Sequence, residues 1–233
     1  MKRFYNQTST IPAAGGYGIT LDGRLVKTSG KHDLIVPSLA LATAVAAEWD
    51  DQQGEIRRER MPLTRLAGTT IDRDQTQREA VVRQIAHYAG TDLVCYRATH
   101  PPALAARQQA VWQPLIEWAV ERYDAPLTVT TGVIPASQPA ASLAAFAAVV
   151  AAHDDFSLTA LHTATTACGS LVIALTLLEG RLDAAEAFAA AQLDESFQIE
   201  AWGEDKEQAE RRAALAAEIA AAARFTELLR GLI

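Results

Sequence analysis

GGYGITLDGRLVKTSGKHDLIVPS, Gly15 to Ser38, is where the chain passes from one kind of structure to another. Asp22-Gly23, between ITL and RLV, is a two-residue hairpin signal, because a type I′ turn needs positive φ at both central positions. Leu34-Ile35-Val36 reads as a further short strand, stopped by Pro37, which has no ladder donor. Upstream, Arg3 to Thr8 is expected to form a strand. The run GGYG matches a phosphate-cradling loop only weakly. It lacks the GxGxxG spacing and no helix follows, so it reads as hairpin glycine.

From Ser38 onward helical periodicity takes over. Ser38 suits the N-cap of SLALATAVAAEWDDQ, with Leu39, Ala42, Val45, Ala46 and Trp49 along one face. Asp74 with Gln77 resembles a capping box opening a helix to Ala89, with Gly90 suited to a left-handed C-terminal position. Another helix follows Pro101-Pro102, and Pro114 either breaks it or begins a second. LTVTTGVI, Leu127 to Ile134, is β-branched and reads as a strand. Asp183 with Glu186 opens a helix running towards Ile199. A final helix of about 25 residues starts near Asp205, with Leu215, Ile219, Ala222, Thr226 and Leu229 as a packing seam. The fold class is α+β: a small β-rich N-terminal domain with one helix over residues 1–73, then a larger, mainly α-helical domain over 74–233.

The 233-residue chain can bury a substantial core, and its formal charge of −7 disfavours a nucleic-acid partner. Phe156 to Leu178 carries no formal charge and is long enough to span a bilayer. Its five threonines, two serines and His162 make it a buried central helix of a bundle instead. Cys95 and Cys168 form no CxxC and read as two thiols in a reducing compartment.

Catalytic signatures are scarce. Ser170 in ACGSL is no nucleophile elbow, and His153 and His162 do not share a helical face for a metal. No metal and no cofactor is expected. TDLVCYR, with Asp92, Cys95 and Arg97 and with His87 upstream, reads as core packing by Leu93, Cys95 and Tyr96 while Asp92 and Arg97 cap and pair. Trp112 and Trp118, like Trp49, stand at helical spacing as core anchors.

LDESFQIEAWGEDKEQAERR, Leu193 to Arg212, holds seven acids against three bases. Glu204, Asp205 and Glu207 complement a helix start. Trp202-Gly203 reads as a corner anchored by the indole. Asp194 and Glu195 remain, read as lying well inside the preceding helix with no lysine or arginine within four residues, and are expected to face a partner.

Taken as an ordered set, KRFY at 2–5, the 17–38 stretch, AAEWDDQ at 46–52, MPLTRLAGTTID at 61–72, TDLVCYR, Gln109 to Trp118 and FQIEAWG at 197–203 resemble one family across nearly the whole chain. It is the family of F-type ATP synthase assembly chaperones that bind the alpha subunit. The sequence departs from it at Ser29, where proline is expected, and at Gln113, where an acid is expected. The resemblance implies a monomeric, non-enzymatic protein that does not span a membrane and holds the unassembled alpha subunit until it joins beta subunits. It implies a location in a bacterial cytoplasm or, for a mature eukaryotic chain, the mitochondrial matrix. By motif it implies Asp194, Glu195 and Trp49 as partner-binding residues, Trp49 as a structural anchor, and Trp202 is expected to join them. The competing reading is an enzyme working through TDLVCYR or the C-terminal carboxylates. A deep pocket of titratable groups would favour the enzyme, and a broad exposed patch the chaperone.

Overall fold

A computed structural model describes residues 1–132 and 136–231. The chain divides into two units, the first comprising Met1–Arg78, Asp155–Ala160 and the residues from Arg224, the second Glu79–Asp154 and Leu161–Ala223.

The first unit is built on the stretch around Asp22-Gly23. Strands β1 (Thr8–Ala13), β2 (Gly16–Leu21) and β3 (Arg24–Leu25) form an antiparallel meander, and β4 (Ile35–Val36) pairs with the other end of β2. Leu21 faces Arg24 across the turn, where Asp22 and Gly23 have φ of 48° and 78°, both positive as a type I′ turn demands. GGYG lies at the β1–β2 turn and in β2. Gly16 is required there, since an added Cβ would sit 2.1 Å from the Val36 carbonyl oxygen. Helix α1 (Leu39–Asp50) packs on β1, β2 and β4 and buries Leu41, Ala42, Val45 and Ala46; Ile19, Leu34 and Val36 are buried in the same unit. Ser38 caps α1, its Oγ accepting from the Leu41 N–H at 3.1 Å. Leu39, expected on the buried face, is exposed.

The expected strand over Arg3–Thr8 is not formed before Thr8. Its polar groups are used otherwise: Arg3 donates to the Asp50 and Gln52 carbonyls at 2.7 Å, and the Asp22 carboxylate accepts from the Asn6 and Gln7 N–H groups. Helix α2 (Pro62–Ile71) follows α1, and the Glu48 carboxylate accepts from the first-turn N–H groups of Leu63 and Thr64. Burial raises the Glu48 carboxyl from its ordinary value while those bonds lower it. Helix α3 (Gln75–His87) begins with the expected Asp74–Gln77 capping box.

In the second unit, Gly90 ends a 3-10 turn and does not adopt positive φ. Strand β5 (Tyr96–Arg97) leads to helix α4 (Pro102–Tyr123), which runs unbroken through Pro114. Pro114 and Ala110, whose carbonyl loses its helical partner, are both exposed, so the unpaired carbonyl is not buried. The expected strand Leu127–Ile134 shrinks to β6 (Thr130–Thr131), parallel to β5. Gln138 bonds both the Thr128 N–H and its carbonyl, occupying the place of a strand neighbour, and Val133 and Ile134 lie outside the described residues.

Helix α5 (Ala140–Ala151) precedes a second departure. Phe156–Leu178 is two helices, α6 (Asp155–Cys168) and α7 (Leu171–Leu178), separated where Gly169 has φ of 64° and Ser170 caps α7. All eight residues of α7 are buried. Among the described residues no helix is long and apolar enough to cross a membrane. The Asp183–Glu186 capping box opens α8 (Ala184–Ala191), which stops at Gln192 rather than reaching Ile199. Helix α9 (Leu193–Trp202) is separate, and α10 (Lys206–Arg230) starts where Asp205 accepts from the Gln208 N–H at 2.8 Å. Of the expected seam on α10, Ile219, Ala222 and Thr226 are buried, while Leu215 and Leu229 are half-buried.

Candidate functional site

The break at Gln192 changes the reading of Asp194 and Glu195. Both stand in the first turn of α9, where a carboxylate is favoured by about 0.3–1 kcal/mol, so their position is not the mid-helix one expected. Both are half-buried, and among the described residues neither is held in an ion pair. Asp194 has a partner of another kind: Gln108 Nε2 donates to its Oδ1 at 2.8 Å, while Gln108 Oε1 accepts from the Ala98 N–H at 2.6 Å. Gln108 is 1% exposed and sits in the buried stripe Leu104, Gln108, Trp112, Leu115, Ala119 of α4. The reading of the sequence did not single it out. A lone amide within an apolar stripe at helical spacing was the available signal, since a buried amide needs partners.

Three helices meet here because their polar groups interlock. Trp112 is fully buried and its indole N–H donates to the Ala190 carbonyl at 2.8 Å, satisfying a group near the end of α8 that has no helical donor. Arg97, 6% exposed, lies over the Trp112 ring with Cζ 5.2 Å from its centroid and donates to the Val94 carbonyl. Burial lowers its guanidinium from the ordinary value, with Cys95 and Asp194 acting in the opposite sense. Asp92 caps as expected, as the N-cap of the 3-10 turn Leu93–Cys95, but among the described residues it forms no ion pair with Arg97. Its carboxylate accepts from Ser170 Oγ and from the Val172 and Val94 N–H groups, tying the 3-10 turn Leu93–Cys95 to the start of α7.

Beside Gln108, Arg107 forks onto Glu200 of α9 at 2.7 and 2.9 Å and covers the Phe197 ring. That bond holds the Glu200 carboxyl below its usual range. Arg212 reaches back from α10 to Glu204 at 3.3 Å and to Ser196 Oγ at 3.2 Å. Between α4, α8 and α9 lies a cleft of about 380 Å³, its walls formed by Val111, Leu115, Ala189, Ala190 and Leu193, with Arg107 and Glu186 also lining it.

Trp202 ends α9 with 82% of its surface exposed. It does not anchor the corner as expected. Gly203, with φ of 82°, makes the turn alone. Trp49 belongs to the first unit and is built into it: it packs edge-on against Tyr5 at 5.8 Å, and its carbonyl accepts from the Tyr5 hydroxyl at 2.6 Å. Of the other anchors, Trp118 is half-buried and packs edge-on against Tyr123.

TDLVCYR carries no reactive arrangement. Cys95 is fully buried, and burial foremost pushes its thiol up to about 12; Cys168 is raised to the same level. Such thiols stay protonated at neutral pH and are poor nucleophiles. Among the described residues no group of three or more His, Cys, Asp or Glu side chains is placed to hold a metal ion.

Comparison with known proteins agrees with this architecture. The sequence model described as ATP12 chaperone protein matches residues 2–120. The mitochondrial atp12 protein of Schizosaccharomyces pombe is 25% identical over 214 residues, 87% of this chain and 74% of that protein. The crystal structure of Atp12 from Paracoccus denitrificans is 41% identical, covers 98% of each chain and superposes with a TM-score of 0.94. The Atu1473 protein of Agrobacterium tumefaciens is 39% identical, covers all of this chain and 86% of its own, and has a TM-score of 0.91. A match over more than half the chain, a shared fold and 41% identity together place this chain in the ATP12 chaperone family of ATP synthase assembly chaperones.

Proposed function

We propose that this protein holds the unassembled alpha subunit of the F-type ATP synthase until beta subunits replace it, by binding rather than catalysis. The observation that carries the reading is the surface of α9. One short helix presents an 82% exposed tryptophan at its end and, at its start, two carboxylates that among the described residues are in no ion pair. Exposed tryptophan is a favoured interface anchor, and unpaired charge sets orientation and association rate. The family's name as chaperones and the chain's likeness to Atp12 of P. denitrificans support it. The protein acts as a monomer in a bacterial cytoplasm or a mitochondrial matrix, with Asp194, Glu195 and Trp202 meeting the client and Trp49 holding the first unit together.

The test is co-purification of tagged protein with the free alpha subunit at modest salt. Glu195→Lys, alone and with Asp194→Lys, is expected to cut recovery while the circular dichroism spectrum stays the same. Undiminished recovery overturns the assignment of these acids, and failure of the unaltered protein to recover alpha subunit overturns the function.

A further inference from the structure

We infer that the cleft between α4, α8 and α9 receives one apolar side chain of the client, presented by a segment that carries basic residues. The inference rests on the chaperone reading above and names the chemistry of what is held. At about 380 Å³ the cleft would otherwise hold on the order of a dozen waters, at roughly 30 Å³ each, against walls of Val111, Leu115, Ala190 and Leu193. Those waters find few hydrogen-bond partners there, and displacing them by an apolar group is favourable.

The cleft is held open without a client. The Trp112 to Ala190 bond fixes α4 against α8, and the Gln108 to Asp194 bond fixes α4 against α9. A preformed cavity spares the binding partner the cost of ordering it.

Charge selects the occupant. The cation in the lining, Arg107, is already forked onto Glu200. Glu186 lines the cleft, and Asp194 and Glu195 lie in the same helical turn as the lining residues Leu193 and Ser196. Among the described residues none of these three acids is in an ion pair. A segment entering the cleft therefore meets net negative charge, from Glu186 in the lining and from Glu195 beside it, with Asp194 partly offset by the buried Arg97. A second copy of this chain, with its own net charge of −7, is repelled. A client segment with lysine or arginine flanking a leucine or phenylalanine is attracted.

Two measurements decide the matter. In the first, the full chain labelled with ¹⁵N is titrated with the capped tripeptides Arg-Phe-Arg, Glu-Phe-Glu and Arg-Ser-Arg. Saturable amide shifts at Ala189, Ala190 and Leu193 with Arg-Phe-Arg only, weakened by added salt, are expected. Equal response to the acidic peptide, response to the serine peptide, or no saturable response overturns the proposal. In the second, Ala189→Phe fills the cleft from an exposed position on α8, and Ala217→Phe makes the same change at an exposed position on α10. Ala189→Phe is expected to weaken alpha-subunit capture by about tenfold, as for loss of one buried anchor, and Ala217→Phe to leave it unchanged. If Ala189→Phe captures like the unaltered protein while Glu195→Lys does not, the cleft is unused although the chaperone reading stands. If the unaltered protein captures nothing, that reading fails and the peptide titration alone decides the cleft. Concentration-dependent dimerisation that Ala189→Phe abolishes would assign the cleft to a second copy and overturn the proposal.

Discussion

Gln108 and Asp194, 86 positions apart, share a 2.8 Å hydrogen bond in which a buried amide donates to a half-buried carboxylate. The amide's oxygen is simultaneously taken by the Ala98 N–H. One side chain of α4 thus fixes both the chain entering that helix and the first turn of α9. An acid held this way takes its direction from a neutral donor rather than from an ion pair, which suits a group meant for a partner.

Replacing that amide by a carboxylate should therefore be worse than removing it. Gln108→Leu leaves the Ala98 N–H unpaired at a cost of about 1–3 kcal/mol. Gln108→Glu sets a like charge within hydrogen-bond distance of Asp194. Urea midpoints are expected to fall further for Gln108→Glu than for Gln108→Leu at pH 8. Equal midpoints would contradict the account.

Asp92 makes stability depend on pH. Burial raises its carboxyl from 3.8 to about 6, against the lowering effect of bonds from Ser170, Val172 and Val94. A folded-state value above the unfolded one means the native state holds the proton more tightly. The associated stability is fully present below pH 3.8, diminishes as pH rises through about 6, and amounts to about 3 kcal/mol. Asp92→Asn should flatten the stability profile between these limits, as measured by urea unfolding across pH 4–8.

Gly16 and Gly15 separate steric need from conformational need. A Cβ at Gly16 would overlap the Val36 carbonyl at 2.1 Å, whereas at Gly15, with φ of 89°, it meets nothing within 4 Å. Gly16→Ala is expected to cost about 3 kcal/mol or more, through backbone overlap and displacement of β4. Gly15→Ala should cost only about 1 kcal/mol, the strain of positive φ. Thermal unfolding of the two variants checks the order.

Pro114 sits at an exposed position in an uninterrupted helix. Pro114→Ala restores an N–H for the Ala110 carbonyl and relieves the ring's crowding of the preceding turn. A gain of about 1–3 kcal/mol is expected in chemical denaturation. A loss would show that the proline serves the fold in a way its exposure conceals.

The sequence by itself determined the features whose partners lie within a few residues. The Asp22-Gly23 turn, the caps at Ser38, Asp74, Asp183 and Asp205, and the change from strands to helices at Pro37 all stand as read. Each depends on a side chain reaching its own backbone two or three residues on, or on the φ angles one dipeptide tolerates. Tertiary structure decided the rest. Gln192 ends a helix that periodicity alone carried to Ile199, and Gly169-Ser170 divides a run that composition left continuous. In both places the break is joined by bonds with residues 78 and 80 positions away, from the Trp112 indole to the Ala190 carbonyl and from the Val172 N–H to Asp92. Those bonds satisfy helix-end groups that local sequence leaves without partners. The site followed the same rule: its carboxylates and tryptophan were legible as residues. The helix start that holds the acids, the amide that aims Asp194 and the exposure of Trp202 came from the packing of helices distant in the chain.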